Sequence, residues 1–278
     1  MTVIAMVNKP IKRRHELEVI TPERALELLE LNTLNRPLDQ RHIERIATQI
    51  KTGKWQFNGD TIKISGDGNI VDGQHRLWAI VEAKKPVETL VVHDVPREAF
   101  ATIDTISKPR GGADILALNG VKGYRQITAA ALVWLVRWQR KPPTLTGPGR
   151  RVEVSEIEQA YGHHSHISEA AERVNKSCRG ICSPSLMTFL YYMLSSRDAE
   201  IGERFMTTMD NPSGLSASDP FFRFRGWVVQ NSGKHISPIV VIAMAIKAAN
   251  AAKAGRKIET LSWKHQGNNP EVFPELSF

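Results

Sequence analysis

The spacing of apolar residues changes along the chain, and the changes mark out the elements. DQRHIERIATQIKTG places Ile43, Ile46, Ala47 and Ile50 on one face of a helix, with Gly53 as its stop. A shorter helix precedes it in TPERALELLELN, opened by Thr21 and Pro22. The period then shortens to alternation. DTIKIS (60–65) reads as a strand, Gly-Asp-Gly (66–68) as a turn, and NIV as a second strand. LWAIVEAKK returns to helix spacing and VETLVVHDV to a strand. From about residue 121 the pattern is helical, through ITAAALVWLVRWQR, VEVSEIEQAYG, SEAAERVNK, SPSLMTFLYYMLS, EIGERFMTTM and FFRFRGWVVQ. A last long helix is expected from near Pro238 to near Gly255, and Pro142, Pro143, Gly147, Pro148 and Gly149 form a linker. These elements predict an α+β chain, with a small α/β module followed by a mostly helical domain. The expected organisation is an extension over 1–18, the module over 19–118 and the helical domain over 119–278.

Composition narrows the class. Apolar residues make up 41% of the chain and charged residues 24%. No apolar run reaches the roughly 18 residues of a membrane span, so no membrane association is expected. In MTVIAMVNKPIKRRHE the basic cluster follows the apolar one, the reverse of a secretory signal. A cytoplasmic location is the expectation. Cys178 and Cys182, in CRGIC, read as reduced thiols; a Cys/His metal site with His163, His164 and His166 is the alternative.

The net charge of +8 favours a polyanionic partner. Between Ile115 and Val152 there is no acidic residue, while Lys122, Arg125, Arg137, Arg140, Lys141, Arg150 and Arg151 are all basic. This stretch predicts either a DNA-contacting surface or a solvated basic face. FFRFRGW adds Arg223 and Arg225 between aromatics, which could stack on bases or pack inward. Trp134 and Trp138, four apart in a helix, read as core packing.

The densest chemistry lies in NIVDGQHRLWAIVEA, where Asp72, Gly73, Gln74, His75 and Arg76 separate a strand from a helix. A helix start offers unpaired N–H groups and the positive end of the dipole. Gly73 would let a ligand approach the backbone, and Arg76 can grip two anionic oxygens. His75 could donate to a phosphate or take a proton, and Gln74 and Asp72 could orient a hydroxyl, a water or a metal. The arrangement suits a phosphate. The plainer reading is a polar turn in which Asp72 caps the helix and Arg76 pairs with a carboxylate. Neither the Gly-x-x-x-x-Gly-Lys-Ser/Thr loop nor a dinucleotide fingerprint is present.

VDGQHRLWA resembles the signature of the ParB/sulfiredoxin superfamily, in its DGQHR-type branch of ParB-like nuclease domains, a group found in phage and mobile elements. Gly73 and Arg76 match its phosphate-holding Gly-x-x-Arg. Asn35-Arg36 before LDQRHIERIATQIKTGKW resembles the Asn-x-Arg segment that precedes a short helix in these proteins, and IKISGDGNIVDGQHR resembles their strand-turn-strand. The resemblance covers about residues 19–110. It implies a nucleotide, ATP or CTP, held with Mg2+ by Gly73, Gln74, His75, Arg76, Asn35 and Arg36. It also implies a link to DNA. The chain has Gly73-Gln74-His75-Arg76 where the partition proteins have Gly-Glu-Arg-Arg, and it lacks the cysteine of the sulfiredoxin loop. Sulfinic-acid repair is therefore not expected. A recognition helix would fall in VEVSEIEQAYGHHSHISEAAERV.

Asp60, Asp72 and Asp104 are the carboxylates available to hold magnesium or activate a hydroxyl, with Asp60 and Asp72 as the metal pair. Asp72, His75, Asp60 and Asp104 are thus the expected catalytic set. Arg110, beside Gly111-Gly112, would form the far wall of the phosphate pocket or belong to a hinge. The leading expectation is NTP hydrolysis or phosphoryl transfer linked to DNA or its modification. The alternatives are a non-catalytic DNA-binding regulator using the same loop, and a metal-dependent nuclease. A dimer is compatible with either.

Overall fold

HELEVI forms a strand that is not among the expected elements, although Glu16-Leu17-Glu18-Val19 alternates: β1 (His15–Ile20), which runs across the expected start of the module at residue 19. It lies at a sheet edge with Leu17 and Val19 exposed, so only Ile20 carries a burial signal. The computed structural model describes residues 14–32, 37–103, 109–140, 151–177, 182–264 and 269–278. Among these the chain forms two compact units, Met1–Lys108 and Pro109–Phe278.

The first unit contains β2 (Thr61–Ile64), β3 (Ile70–Asp72) and β4 (Val87–Val92) as well as β1, in the order β1-β4-β2-β3. β1 and β3 run antiparallel to their neighbours, while β2 and β4 are parallel. Alternation along β2 and β4 turns Ile62, Ile64, Val87 and Val91 to one buried face. Helices α1 (Pro22–Glu30), α2 (Gln40–Lys51) and α3 (Gln74–Ala83) contribute to the same core. Thr21 caps α1 by accepting from the Arg24 N–H, and Asp39 caps α2 by accepting from His42 N–H. Ile43, Ile46, Ala47 and Ile50 are all buried, as their spacing predicts.

The second unit is helical: α4 (Gly112–Leu118), α5 (Arg125–Gln139), α6 (Val154–His163), α7 (Ile167–Ser177), α8 (Pro184–Arg197), α9 (Ala199–Asp210), α10 (Pro220–Gln230) and α11 (Pro238–Lys253). The boundary therefore falls at 108/109, ahead of the expected 118/119. The reason is α4, which packs on α5 and α6. A side chain at Gly112 would meet Ile157 Cδ1 at 2.8 Å and Ala129 Cβ at 3.2 Å, so Gly112 serves this close packing. α11 is apolar on nearly every face and buried accordingly. No helix among the described residues is long and apolar enough to cross a membrane.

His164, between α6 and α7, is held from two sides. Its Nδ1 lies 3.0 Å from the Tyr192 hydroxyl and its Nε2 lies 3.0 Å from the Gln139 amide nitrogen. The amide can only donate, so Nε2 accepts and the proton sits on Nδ1 of a neutral ring. Burial, and then the nearby His163, lower its pKa below the ordinary histidine value. The folded state thus prefers the neutral ring more than the unfolded chain does. This contribution to stability is complete above about pH 6.5 and is lost as pH falls from there through the lowered folded value. Unfolding titrations of wild type and His164→Gln should diverge in that window, with the variant less sensitive to acid. Identical pH slopes would refute the assignment.

Candidate functional site

The corner between β3 and α3 is set by one glycine. Gly73 has φ of +101°, a left-handed conformation that side chains disfavour. A Cβ there would also lie 2.5 Å from Ile62 Cδ1 and 3.3 Å from Ile62 Cα. The close approach that the sequence reading reserved for a ligand is thus made by Ile62 of β2. Gly73 is also the N-cap of α3, and no side chain caps that end. Asp72 does not cap the helix, contrary to the plainer reading of the turn.

Asp72 instead joins a charged cluster. Its Oδ2 pairs with Lys63 Nζ, directly opposite in the β2–β3 register, and with Arg76 Nη2 at 3.3 Å. Arg76 donates to the Thr61 carbonyl at 2.7 Å and lies 3.6 Å from Asp60 Oδ2. Asp60 is held by Asn58, whose Nδ2 donates to the carboxylate at 3.2 Å and whose Oδ1 accepts from the Asp60 N–H. The structure therefore brings Asp60, Asp72, Gly73 and Arg76 together. It adds Lys63, which the sequence reading passed over. Lys63 was legible only as a polar position in an alternating strand, since its partner depends on the β2–β3 register.

The other two loop residues point into the module. Gln74 and His75 are only 5% and 6% exposed. Gln74 Oε1 accepts from Asn32 Nδ2 at 3.4 Å. His75 Nε2 accepts from the Asp39 N–H at 3.0 Å, and its ring meets His42 edge-on at 5.3 Å. His75 thus ties the start of α2 to the start of α3. With Nε2 engaged as an acceptor, that nitrogen does not donate to a phosphate in this conformation.

Asn35, Arg36 and Asp104 lie outside the described residues, as do Lys108, Lys141, Arg150 and Cys178. Arg110 is exposed in the second unit. It is followed there by Gly111, whose N–H donates to Asp114 Oδ2 at 2.8 Å at the start of α4.

The basic stretch divides on folding. Lys122, Arg125 and Arg151 are exposed. Arg140 instead pairs with Glu156 at 2.8 Å, a carboxylate that lies beyond the acid-free segment in sequence. Arg137 lies over the Trp134 ring at 5.5 Å, and Trp134 and Trp138 pack against the helical core. Arg225 Nε donates to the Met209 carbonyl at 3.0 Å. In FFRFRGW, Phe221 and Phe224 are fully buried and pack on Phe205, so these two rings are core residues and are not available for base stacking. Arg223 is half-buried in the same helix. Helices α6 and α7 follow one another across residues 164–166, in the stretch where a recognition helix would fall. Among the described residues, no three His, Cys, Asp or Glu side chains form a group able to hold a metal ion.

No family model, curated protein or solved structure matches the chain.

Proposed function

We propose that the β3–α3 corner binds the phosphates of a nucleotide, ATP or CTP, in a protein of the ParB/sulfiredoxin type that acts on or beside DNA. The observation that carries this reading is the side-chain-uncapped start of α3 at Gly73, with Arg76 and Lys63 gathered beside it. The first-turn N–H groups and the helix dipole favour an anion at that end. Arg76 and Lys63 supply positive charge and exchange part of their pairing with Asp60 and Asp72 for phosphate oxygens. Asp60, the more exposed carboxylate, orients a water or substrate hydroxyl toward the terminal phosphate. His75 acts as a positioning residue, fixing the loop against α2. Asp60 and Asp72 fit a magnesium ion, which takes one or two carboxylates together with water and phosphate oxygens. When bound, the ion would neutralise phosphate charge. Exposed Lys122, Arg125 and Arg151 are the residues of the helical unit offered for DNA phosphates.

A second reading, a non-catalytic DNA-binding regulator, is favoured by one observation. The side chains of Gln74, His75 and Arg76 all make bonds within the module. The fate of the nucleotide separates the two readings.

Calorimetry with ATP, CTP and GTP in the presence of magnesium should detect binding to the wild type. Losing a charge-assisted contact of about 1.5–3 kcal/mol should weaken binding in Arg76→Ala roughly 10- to 100-fold. Circular dichroism would confirm that the variant is folded. Phosphate release stimulated by DNA would support the enzyme, and binding without turnover would support the regulator. A folded wild type that binds none of the three nucleotides but still binds DNA would sink the nucleotide reading and leave the regulator that contacts DNA phosphates.

A further inference from the structure

The opposite end of the sheet carries polar groups that the proposed function does not use. β2 and β4 are parallel, so their C-terminal ends lie together, and antiparallel β1 begins at that same end. A cavity of about 720 Å³ opens there, with Arg14, His15, Ser65, Gly66, His93 and Asp94 in its lining. Cavities of roughly 300–1,000 Å³ are the usual size for small ligands, and the carboxyl ends of parallel strands are their usual place in α/β sheets. This end is distinct from the β3–α3 corner. Gly73 sits over Ile62 and Arg76 bonds to Thr61, whereas the cavity starts at Ile64. The strand rise puts Thr61 and Ser65 about 13 Å apart.

The lining combines two kinds of group. Arg14 is exposed at the rim, its guanidinium only loosely paired with Glu16 at 3.8 Å. His93 is mostly enclosed, and its Nε2 lies 3.0 Å from Glu16 Oε1. A carboxylate can only accept here, so His93 Nε2 donates and Glu16 fixes the orientation of the ring. Asp94 is exposed and has φ of +59°, a left-handed conformation that aspartate and asparagine adopt more readily than other side chains. A Cβ at Gly66 would lie 3.7 Å from Asp94 Oδ1, which sets this carboxylate beside the glycine turn at the mouth. A guanidinium with the His15 imidazole suits a phosphate; an outward carboxylate beside it suits sugar hydroxyls, which donate to it.

We infer that this cavity is a second ligand site for a small sugar phosphate, with Arg14 holding the phosphate and Asp94 the hydroxyls. The site stands on its own residues and does not depend on nucleotide binding at α3. The test titrates ribose 5-phosphate, and separately inorganic phosphate, into the full chain by calorimetry. Wild type, Arg14→Gln, Asp94→Asn and Arg76→Ala are compared. Arg14 and Asp94 are exposed, and asparagine tolerates the left-handed conformation, so the first two variants are expected to fold. Ribose 5-phosphate should bind wild type and Arg76→Ala equally and weaken at least tenfold in Arg14→Gln and in Asp94→Asn. Inorganic phosphate held in this cavity should weaken in Arg14→Gln and not in Asp94→Asn. Absence of ribose 5-phosphate binding would overturn the inference. So would a loss confined to Arg76→Ala, which would assign the phosphate to the α3 corner instead. Loss in Arg14→Gln with none in Asp94→Asn would overturn sugar recognition, and with it the ligand class.

Discussion

Gly73→Ala is expected to destabilise the α/β module by about 2–4 kcal/mol and to remove the proposed nucleotide binding with it. Two costs add. A side chain in the left-handed region costs about 1–2 kcal/mol, and forcing a methyl group into filled space costs about 1–3 kcal/mol. The entropy that alanine removes from the unfolded chain returns only about 0.4–1 kcal/mol. The space is filled by Ile62, whose Cδ1 lies 2.5 Å from the position of the added Cβ. Ile62→Val removes that atom. The double variant should therefore recover part of the loss, giving a favourable coupling in denaturant unfolding. If the two losses simply add, the contact with Ile62 is not the cause and only the backbone cost remains.

Phe224→Ala should cost the helical unit about 3–5 kcal/mol. The side chain is fully buried, and its ring centroid is 5.9 Å from Phe205, which also meets Phe221 edge-on at 5.4 Å. At about 2–4 °C per kcal/mol for a unit of this size, the melting temperature should fall by roughly 10 °C. Truncating an exposed stacking residue would act differently, lowering nucleic-acid affinity while leaving the melting temperature in place. That second result would return FFRFRGW to the list of contact surfaces.

Much of the architecture was legible because burial repeats at the period of the local structure. Ile43, Ile46, Ala47 and Ile50 announce α2, and alternation in TIKI announces β2. β1 alternates too, in Glu16-Leu17-Glu18-Val19, but its apolar positions Leu17 and Val19 lie exposed at the sheet edge, so the alternation there does not mark a core face. α4 was missed for a similar reason: it is short, and only Leu116 is buried along it.

At the site, the sequence by itself determined which residues stand between β3 and α3, because the break from strand period to helix period isolates Asp72–Arg76. It could not say what each residue faces. The partners of Asp72, His75 and Arg76 lie in β2 and at the start of α2, and strand register and helix packing bring them into reach. The same holds for the basic stretch. Its acid-free run is a sequence fact, but Glu156 reaches Arg140 only because α6 follows α5 closely in space. Local periodicity follows from neighbours in the chain, whereas charge pairing and cavity shape depend on residues far apart in sequence, and only the tertiary structure decides those.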